Sequence, residues 1–257
     1  LPADHPPLPP HAHADNSKKC PFAAKHEFCP PQEGDVRSPC PALNTMANHG
    51  YINRSGKNLT AAALTSALQK CYNLSLPLAI VLSYGGFILL HRYNFLRGID
   101  LMEVGKHGFV EHDASLVHRD TILGDDEQGE KKPVYYAPVE IVPEWVDALM
   151  EDARKLREDK DYAFELTGGA GRKGKDGKVE GIDALHAEIA RGEMAIVLGM
   201  WEVEDYPAPI KGVPAEWFRE WITYERLPGG WRPMRTQGLL DTMKRSREVK
   251  KGMERFR

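Results

Sequence analysis

The sequence predicts a mainly α fold: one helical domain with little β structure. Three observations carry this reading. Apolar residues recur at helical spacing in several long segments, no segment alternates strictly as in an extensive sheet, and no internal repeat is present. A chain of 257 residues, 42% hydrophobic and 28% charged, buries one core without needing a second domain. Its 34 basic and 37 acidic residues leave a net charge of −3, so no electrostatic footprint for nucleic acid exists.

Residues 1–38 read as a Pro-rich arm packing on a domain of residues 39–257; ten of the 19 prolines fall before residue 42. His11 and His13 form an H-x-H pair, either a weak metal pair or, as expected of such a tail, solvated side chains. Cys20 and Cys29 either close a short disulfide loop in an oxidising compartment or stay as thiols. Helical periodicity starts after Cys40-Pro41, where Pro suits the first turn; Leu43, Met46 and Ala47 share a face and Gly50 ends the helix.

Leu59 to Leu82 reads as helix, interrupted near Asn73–Pro77, with Cys71 as a small buried hydrophobe. Gly85 to Leu96 reads as apolar helix. The longest apolar run, Leu74 to Leu90, is broken by Pro77, Ser83, Tyr84, Gly85 and Gly86. It is expected to be buried helix, because a membrane span needs about 20 cleaner residues. Asp113 to Gly124 reads as polar turns followed by a short helix. Glu140 to Arg157 has Ile141, Trp145 and Leu149 at helical spacing. A Gly/Lys-rich mobile loop is expected over 168–181.

Asp183 to Trp201 carries the clearest helical pattern, with Asp183 as N-cap. Trp217 to Tyr224 reads as helix or strand. Residues 239–256 form a basic amphipathic helix, readable as an interface, a contact to acidic polymer or a solvated face. Three glycosylation sequons start at Asn53, Asn58 and Asn73 and favour secretion. The first residues carry no charged or apolar signal region, so a secreted form is expected to be the mature one.

Three constellations suit chemistry. Cys40 lies between Pro39 and Pro41 where a helix begins; partial positive charge and free N–H groups there favour a thiolate. That suits a metal ligand or nucleophile, the alternative being a disulfide partner. Glu111-His112-Asp113-Ala114-Ser115 places Glu111 and Ser115 four apart, suited to a hard cation or to a polar, capped loop. Glu193 sits between Ile189 and Ile196 on an apolar stripe, beside Gly192. It reads as a buried general acid/base approached closely by something bulky, or as a salt-bridged edge residue.

Together these resemble the fungal haem-thiolate peroxidases, which include chloroperoxidase and the unspecific peroxygenases. The resemblance rests on Cys40-Pro41-Ala42-Leu43-Asn44-Thr45-Met46-Ala47-Asn48-His49-Gly50, the Glu111–Ser115 run, Glu193 with its apolar sequel, and Glu225-Arg226-Leu227-Pro228 near Trp231. It spans about residues 38–231 and is most like the short peroxygenases. It implies a helical bundle enclosing haem b, with Cys40 as axial thiolate. Glu193 would be the acid/base that generates Compound I, oriented by His112. Glu111, Ser115 and the His112 backbone carbonyl would hold Mg²⁺, or Mn²⁺ or Ca²⁺, beside a haem propionate. Val110, Ile189 and Ile196 would line the substrate channel.

The implied activity is secreted, hydrogen-peroxide-dependent oxygen insertion into C–H, C=C and aromatic bonds of small organic substrates, with side one-electron oxidation. The alternative is a halogenating, chloroperoxidase-like enzyme. Neither nucleic acid nor membrane is an expected partner. The resemblance implies a monomer or noncovalent dimer, because the C-terminal cysteine through which some family members dimerise has no counterpart after Cys71. A non-catalytic haem or metal carrier and a cysteine hydrolase using Cys40 are the readings from other classes.

Overall fold

Prolines and polar caps set where the helices begin. In the computed structural model, α1 (Pro41–Asn48) opens on Pro41 with Cys40 as an extended N-cap. The structure describes residues 8–113, 115–121, 123–125, 131–133, 136–158, 183–203 and 213–254; the expected loop at 168–181 lies outside them. α2 (Ala61–Tyr72) starts where Thr60 Oγ1 accepts the Ala63 N–H at 3.2 Å, and stops at Asn73 in a left-handed conformation. α3 (Leu76–Leu89) restarts at once with Pro77 in its first turn. The interruption expected at 73–77 is therefore a two-helix corner. The helix expected to reach Leu96 ends at Leu89, and residues 90–96 are turn and loop.

A single turn, α4 (Leu101–Val104), is closed by an Asp100–Glu103 capping box. No helix forms between Asp113 and Gly124 among the described residues, a correction to the sequence reading. Polar groups there take local partners instead, and Leu123–Asp125 (β1) pairs antiparallel with Lys131–Pro133 (β2). α5 (Pro143–Glu158), α6 (Ala184–Trp201), α7 (Ala215–Tyr224) and α8 (Leu239–Glu254) complete the mainly α architecture. α7 resolves the helix-or-strand ambiguity at 217–224. The Asp183 side chain accepts the N–H groups of Leu185 and His186, so the expected N-cap holds. No helix among the described residues is long and apolar enough to cross a membrane.

α6 packs along α8, α2 on α3 and α5 on α7, while α1 touches α7. The centre of the core is aromatic. Trp201 and Trp221 are fully buried with ring centroids 5.1 Å apart, and Trp231 lies 4.9 Å from Trp201. Arg235 and Arg245 both reach Glu202 at 2.6 Å, so part of the charge on α8 is spent against α6 rather than left to solvent.

Gly199 lets α6 approach the buried Gln237: a Cβ there would lie 2.1 Å from the Gln237 side-chain oxygen. Gln237 cannot retreat freely, because its Nε2 donates to Thr242 Oγ1 at 2.9 Å and its backbone bridges Asn73 and Ser75. Gly199→Ala is expected to destabilise the protein by about 1–3 kcal/mol, read as a lower urea midpoint at unchanged slope.

The described part of the arm is held by hydrogen bonds to the helical body. The Cys29 N–H donates to the Asn48 carbonyl at 2.9 Å and the Val36 N–H to the Ser55 carbonyl at 2.8 Å. Arg54, 1% exposed, donates to the carbonyls of Lys18 (3.0 Å), Glu27 (3.1 Å) and Asn48 (2.5 Å). His13 is buried, His11 meets Cys20 and Cys29 and His13 meets Cys29, so these histidines are not the solvated pair expected of a Pro-rich tail. Both cysteines are free thiols here.

Candidate active site

Cys40 is partly exposed, whereas α1 is fully buried from Asn44 onward. Burial of its sulfur and the nearby carboxylates of Glu193 and Glu225 push the thiol up to about 12, while the backbone N–H groups of Leu43 and Ala42 pull it down. The helix start thus offers the sulfur donors, as expected, but without a cation they do not overcome desolvation. A thiolate at this place needs a positive centre against it.

The loop bearing Cys40 is fixed by Asn44. Its Oδ1 accepts the Ser38 N–H at 2.9 Å, and its Nδ2 donates to the Ser38 carbonyl at 2.6 Å and to Glu225 Oε1 at 2.5 Å. One turn later Asn48 Oδ1 accepts the Arg37 guanidinium, and its Nδ2 donates to the Glu225 carbonyl at 3.2 Å. His49 Nε2 accepts the Leu227 N–H at 3.1 Å, and its Nδ1 donates to the His26 carbonyl at 2.9 Å. Asn44, Asn48 and His49 therefore clamp residues 225–227 to α1. Sequence reasoning quoted these residues but gave them no roles; the i, i+4 spacing of Asn44 and Asn48 was the available signal. Glu225 ends α7 in a left-handed conformation, and burial raises its carboxyl to about 7 against the Asn44 hydrogen bond.

His49 gives a pH prediction. Burial lowers it to about 4 from the ordinary 6.5; the His26 carbonyl opposes this and the Arg54 cation adds to it. The folded state therefore binds fewer protons than the unfolded one. The stability due to neutral His49 is complete above pH 6.5 and is lost as pH falls through about 4. In His49→Gln, the loss of unfolding free energy between pH 7 and pH 4 is expected to shrink by about 3 kcal/mol, measured by urea titration at each pH. Glu225, raised from 4.5 to about 7, works the opposite way, and its contribution fades as pH rises across that interval.

Glu193 lies on α6, near enough for its charge to raise the Cys40 thiol. Its side chain is 57% exposed and ion-paired with His112, which fits the edge-residue reading rather than the buried one. A Cβ on Gly192 would meet nothing within 4 Å, so no protein neighbour demands glycine there. His112 Nε2 stands 3.8 Å from Glu193 Oε2, and its Nδ1 donates to the Asp113 carbonyl at 2.7 Å. Burial lowers the His112 pKa, but contact with Glu193, the Asp113 carbonyl and the charges of Glu193 and Glu111 outweigh it and raise it to about 9. Val110 and Ile196 pack partly against the core; Ile189 is half-buried on α6, one turn before Glu193.

Glu111 and Ser115 do not share one set of partners. Glu111 Oε2 accepts from His107 Nδ1 at 2.8 Å. Ser115 Oγ accepts the N–H groups of His118 (3.1 Å) and Val117 (3.4 Å), and Ala114 lies outside the described residues. One ligand atom each from His107, Glu111 and Asp113 lies within 4.8 Å of the others. His107 was missed in the sequence, although its i, i+4 relation to Glu111 was visible. Burial raises the Glu111 pKa, partly offset by His107.

The sequence profile described as "Peroxidase, family 2" matches residues 26–236. The chain belongs to this family of haem-thiolate peroxidases. It is similar to an aromatic peroxygenase of Cyclocybe aegerita, 30% identical over 142 residues, covering 49% of this chain and 38% of that protein. An aromatic peroxygenase of Coprinellus radians is 29% identical over 123 residues, covering 40% and 45%. A chloroperoxidase of Leptoxyphium fumago is 45% identical over 40 residues, covering 16% and 11%. The chain spans less than half the length of the curated relatives it matches.

The family implies haem, and the residues present fit it. A partly exposed thiol at a helix start, with backbone N–H groups near its sulfur and a carboxylate across from it, is a donor set for a thiolate-bound iron. The open flank at Gly192 leaves room for a broad flat group along α6.

Proposed function

We propose that this chain is a secreted haem-thiolate peroxygenase that uses hydrogen peroxide to oxygenate small organic substrates. The observation that supports the reading is the Cys40 thiol at the start of α1 within electrostatic reach of Glu193, with His112 Nε2 3.8 Å from Glu193 Oε2. Haem b, when bound, supplies the iron that activates peroxide and delivers oxygen to the substrate.

Cys40 Sγ would hold the haem iron, and the Leu43 and Ala42 N–H groups would moderate the electron density it donates. Glu193 would take a proton from one oxygen of hydrogen peroxide and return it to the other, which would leave as water while the first oxygen goes to the substrate. Its exposure gives peroxide access to it. His112 orients Glu193 and holds a donor toward it from Nε2. Glu111, Ser115 and the His112 carbonyl would hold Mg²⁺, or a cation of the same class, with His107 and Asp113 as the donors that lie near Glu111. Such an ion would tie down the loop bearing His112. Val110, Ile189 and Ile196 give the substrate an aliphatic wall, which favours oxygenation of apolar carbon over halide chemistry. Asn58 is the exposed sequon residue, and the proposed glycan falls there before Asn53 or Asn73.

The test is the absorption spectrum of the purified protein, reduced and treated with carbon monoxide. A strongly red-shifted carbonyl Soret band is expected, and Cys40→Ala is expected to abolish it. A band typical of His-ligated haem, or no haem at all, overturns the reading. The short match to a chloroperoxidase keeps halogenation as the second reading; chlorination of a diketone that outpaces hydroxylation of an alkyl aromatic would favour it.

A further inference from the structure

Four side chains of the arm converge at a point remote in role from the site above. One ligand atom each from His11, His13, Cys20 and Cys29 lies within 4.8 Å of all the others, and three of the four residues are buried. His11 Nε2 and His13 Nε2 are 3.2 Å apart. Cys29 Sγ is 3.3 Å from His11 Nε2 and 3.4 Å from His13 Nε2, and Cys20 Sγ is 3.4 Å from His11 Nε2.

The partners of the other ring nitrogens decide what those atoms are. His11 Nδ1 lies 2.8 Å from the Pro9 carbonyl, which only accepts, so Nδ1 carries the proton. His13 Nδ1 lies 2.7 Å from Asp35 Oδ2, and both side chains are almost fully buried. In the neutral rings both Nε2 atoms are then bare lone pairs, facing one another and two sulfurs. Lone pairs do not gather this way by mutual attraction. Thiol S–H is a weak donor, and a cation at their centre satisfies all four atoms at once.

We propose that His11, His13, Cys20 and Cys29 form a structural zinc site. Two thiolates and two imidazoles are a donor set suited to tetrahedral Zn²⁺. With Zn–S near 2.3 Å and Zn–N near 2.0 Å, tetrahedral edges are about 3.3 Å between nitrogens and about 3.5 Å between nitrogen and sulfur. The observed 3.2 Å and 3.3–3.4 Å separations already match. The Sγ–Sγ distance of 2.7 Å must open to about 3.8 Å as the metal enters, and the remaining edge, His13 Nε2 to Cys20 Sγ, lies within 4.8 Å. A Cys20–Cys29 disulfide is the rival. It would close the sulfurs and leave the two Nε2 lone pairs opposed with nothing between them.

The surroundings are those of a metal-bound histidine. Asp35 fixes the His13 tautomer as a carboxylate behind a zinc ligand, and Arg37 lies 3.7 Å from the same carboxylate. Four protein ligands leave no open position, so the ion fastens the arm rather than reacts. Cys29 passes that restraint to α1 through its N–H bond to the Asn48 carbonyl. The H-x-H and C-x8-C spacings are unlike those of zinc fingers, which is why the sequence alone left them as a tail.

The test measures zinc per chain in the full-length protein after gel filtration, by elemental mass spectrometry, together with mass mapping of the Cys20 and Cys29 peptides. About one zinc ion per chain is expected, with both thiols alkylated only after denaturation in chelator. Asp35→Asn is expected to weaken zinc about 10- to 100-fold in competition with a chromophoric chelator. His11→Ala, at a partly exposed position, checks the ligand set without emptying the core. A peptide pair lighter by two hydrogen masses and lacking zinc shows the disulfide and overturns the proposal. Zinc-free protein with both thiols reactive in the native state overturns it as well. None of these readouts depends on haem loading or peroxide turnover.

Discussion

Glu193→Gln is expected to cut peroxide-driven turnover by about 10²- to 10⁴-fold while leaving the red-shifted carbonyl Soret band in place. The amide keeps the size and exposure of the carboxylate but cannot accept the peroxide proton. The spectrum separates loss of the proton acceptor from loss of haem, since Cys40 caps the start of α1 and Glu193 lies on α6. Steady-state oxidation of one aromatic and one aliphatic substrate supplies the rate. His112→Gln is expected to fall less, because His112 acts through Glu193 at 3.8 Å. Turnover unchanged in Glu193→Gln would remove Glu193 from the proton path and leave the site without its acid/base.

Arg54→Met is expected to cost about 3–5 kcal/mol of unfolding free energy. The guanidinium is 1% exposed and satisfies three backbone carbonyls, those of Lys18, Glu27 and Asn48. Methionine fills most of the volume but offers no donor, so three acceptors lose their partner together. Two of them belong to the arm and the third to the end of α1, so the arm should loosen first. Limited proteolysis is expected to cut before residue 26 in the variant under conditions that spare the parent protein, and urea titration gives the energy. A loss within 1 kcal/mol would mean that water replaces the guanidinium at all three carbonyls.

The legibility of this chain varied with the range of the forces involved. α6 and its Asp183 cap were readable because cap and periodicity are local, and the start of α1 followed from Cys40-Pro41 for the same reason. The end of α3 was overextended, because apolar composition continues past Leu89 while the backbone turns. The helix expected before Gly124 did not form because Val117 and His118 pair with residues 140–142, the Val142 N–H donating to the Val117 carbonyl at 2.8 Å, a distant pairing that periodicity does not register. Cys40, His112 and Glu193 stood out as residue types in a pattern that resembles the family's. The burial of Glu193 stayed open between a buried carboxylate and a salt-bridged edge residue, since an apolar stripe does not say how far a long side chain leans out of it. The links from Asn44 and Asn48 to Glu225, and the meeting of His11 with Cys29, join distant positions and had no local signature.

The clamp between α1 and residues 225–227 also orders events in time. Asn44 and Glu225 are 181 positions apart, and Asn48 and His49 reach across 177 and 178. Closing a loop of that length is entropically slow compared with forming the local helices, and such contacts come late in folding. During synthesis α1 emerges long before its clamp exists. The loop presenting Cys40 therefore takes its final shape only after residues 225–227 have arrived. On the proposed function, cofactor capture through Cys40 would then be a closing event of maturation, and a nascent chain stalled before residue 225 should hold haem poorly.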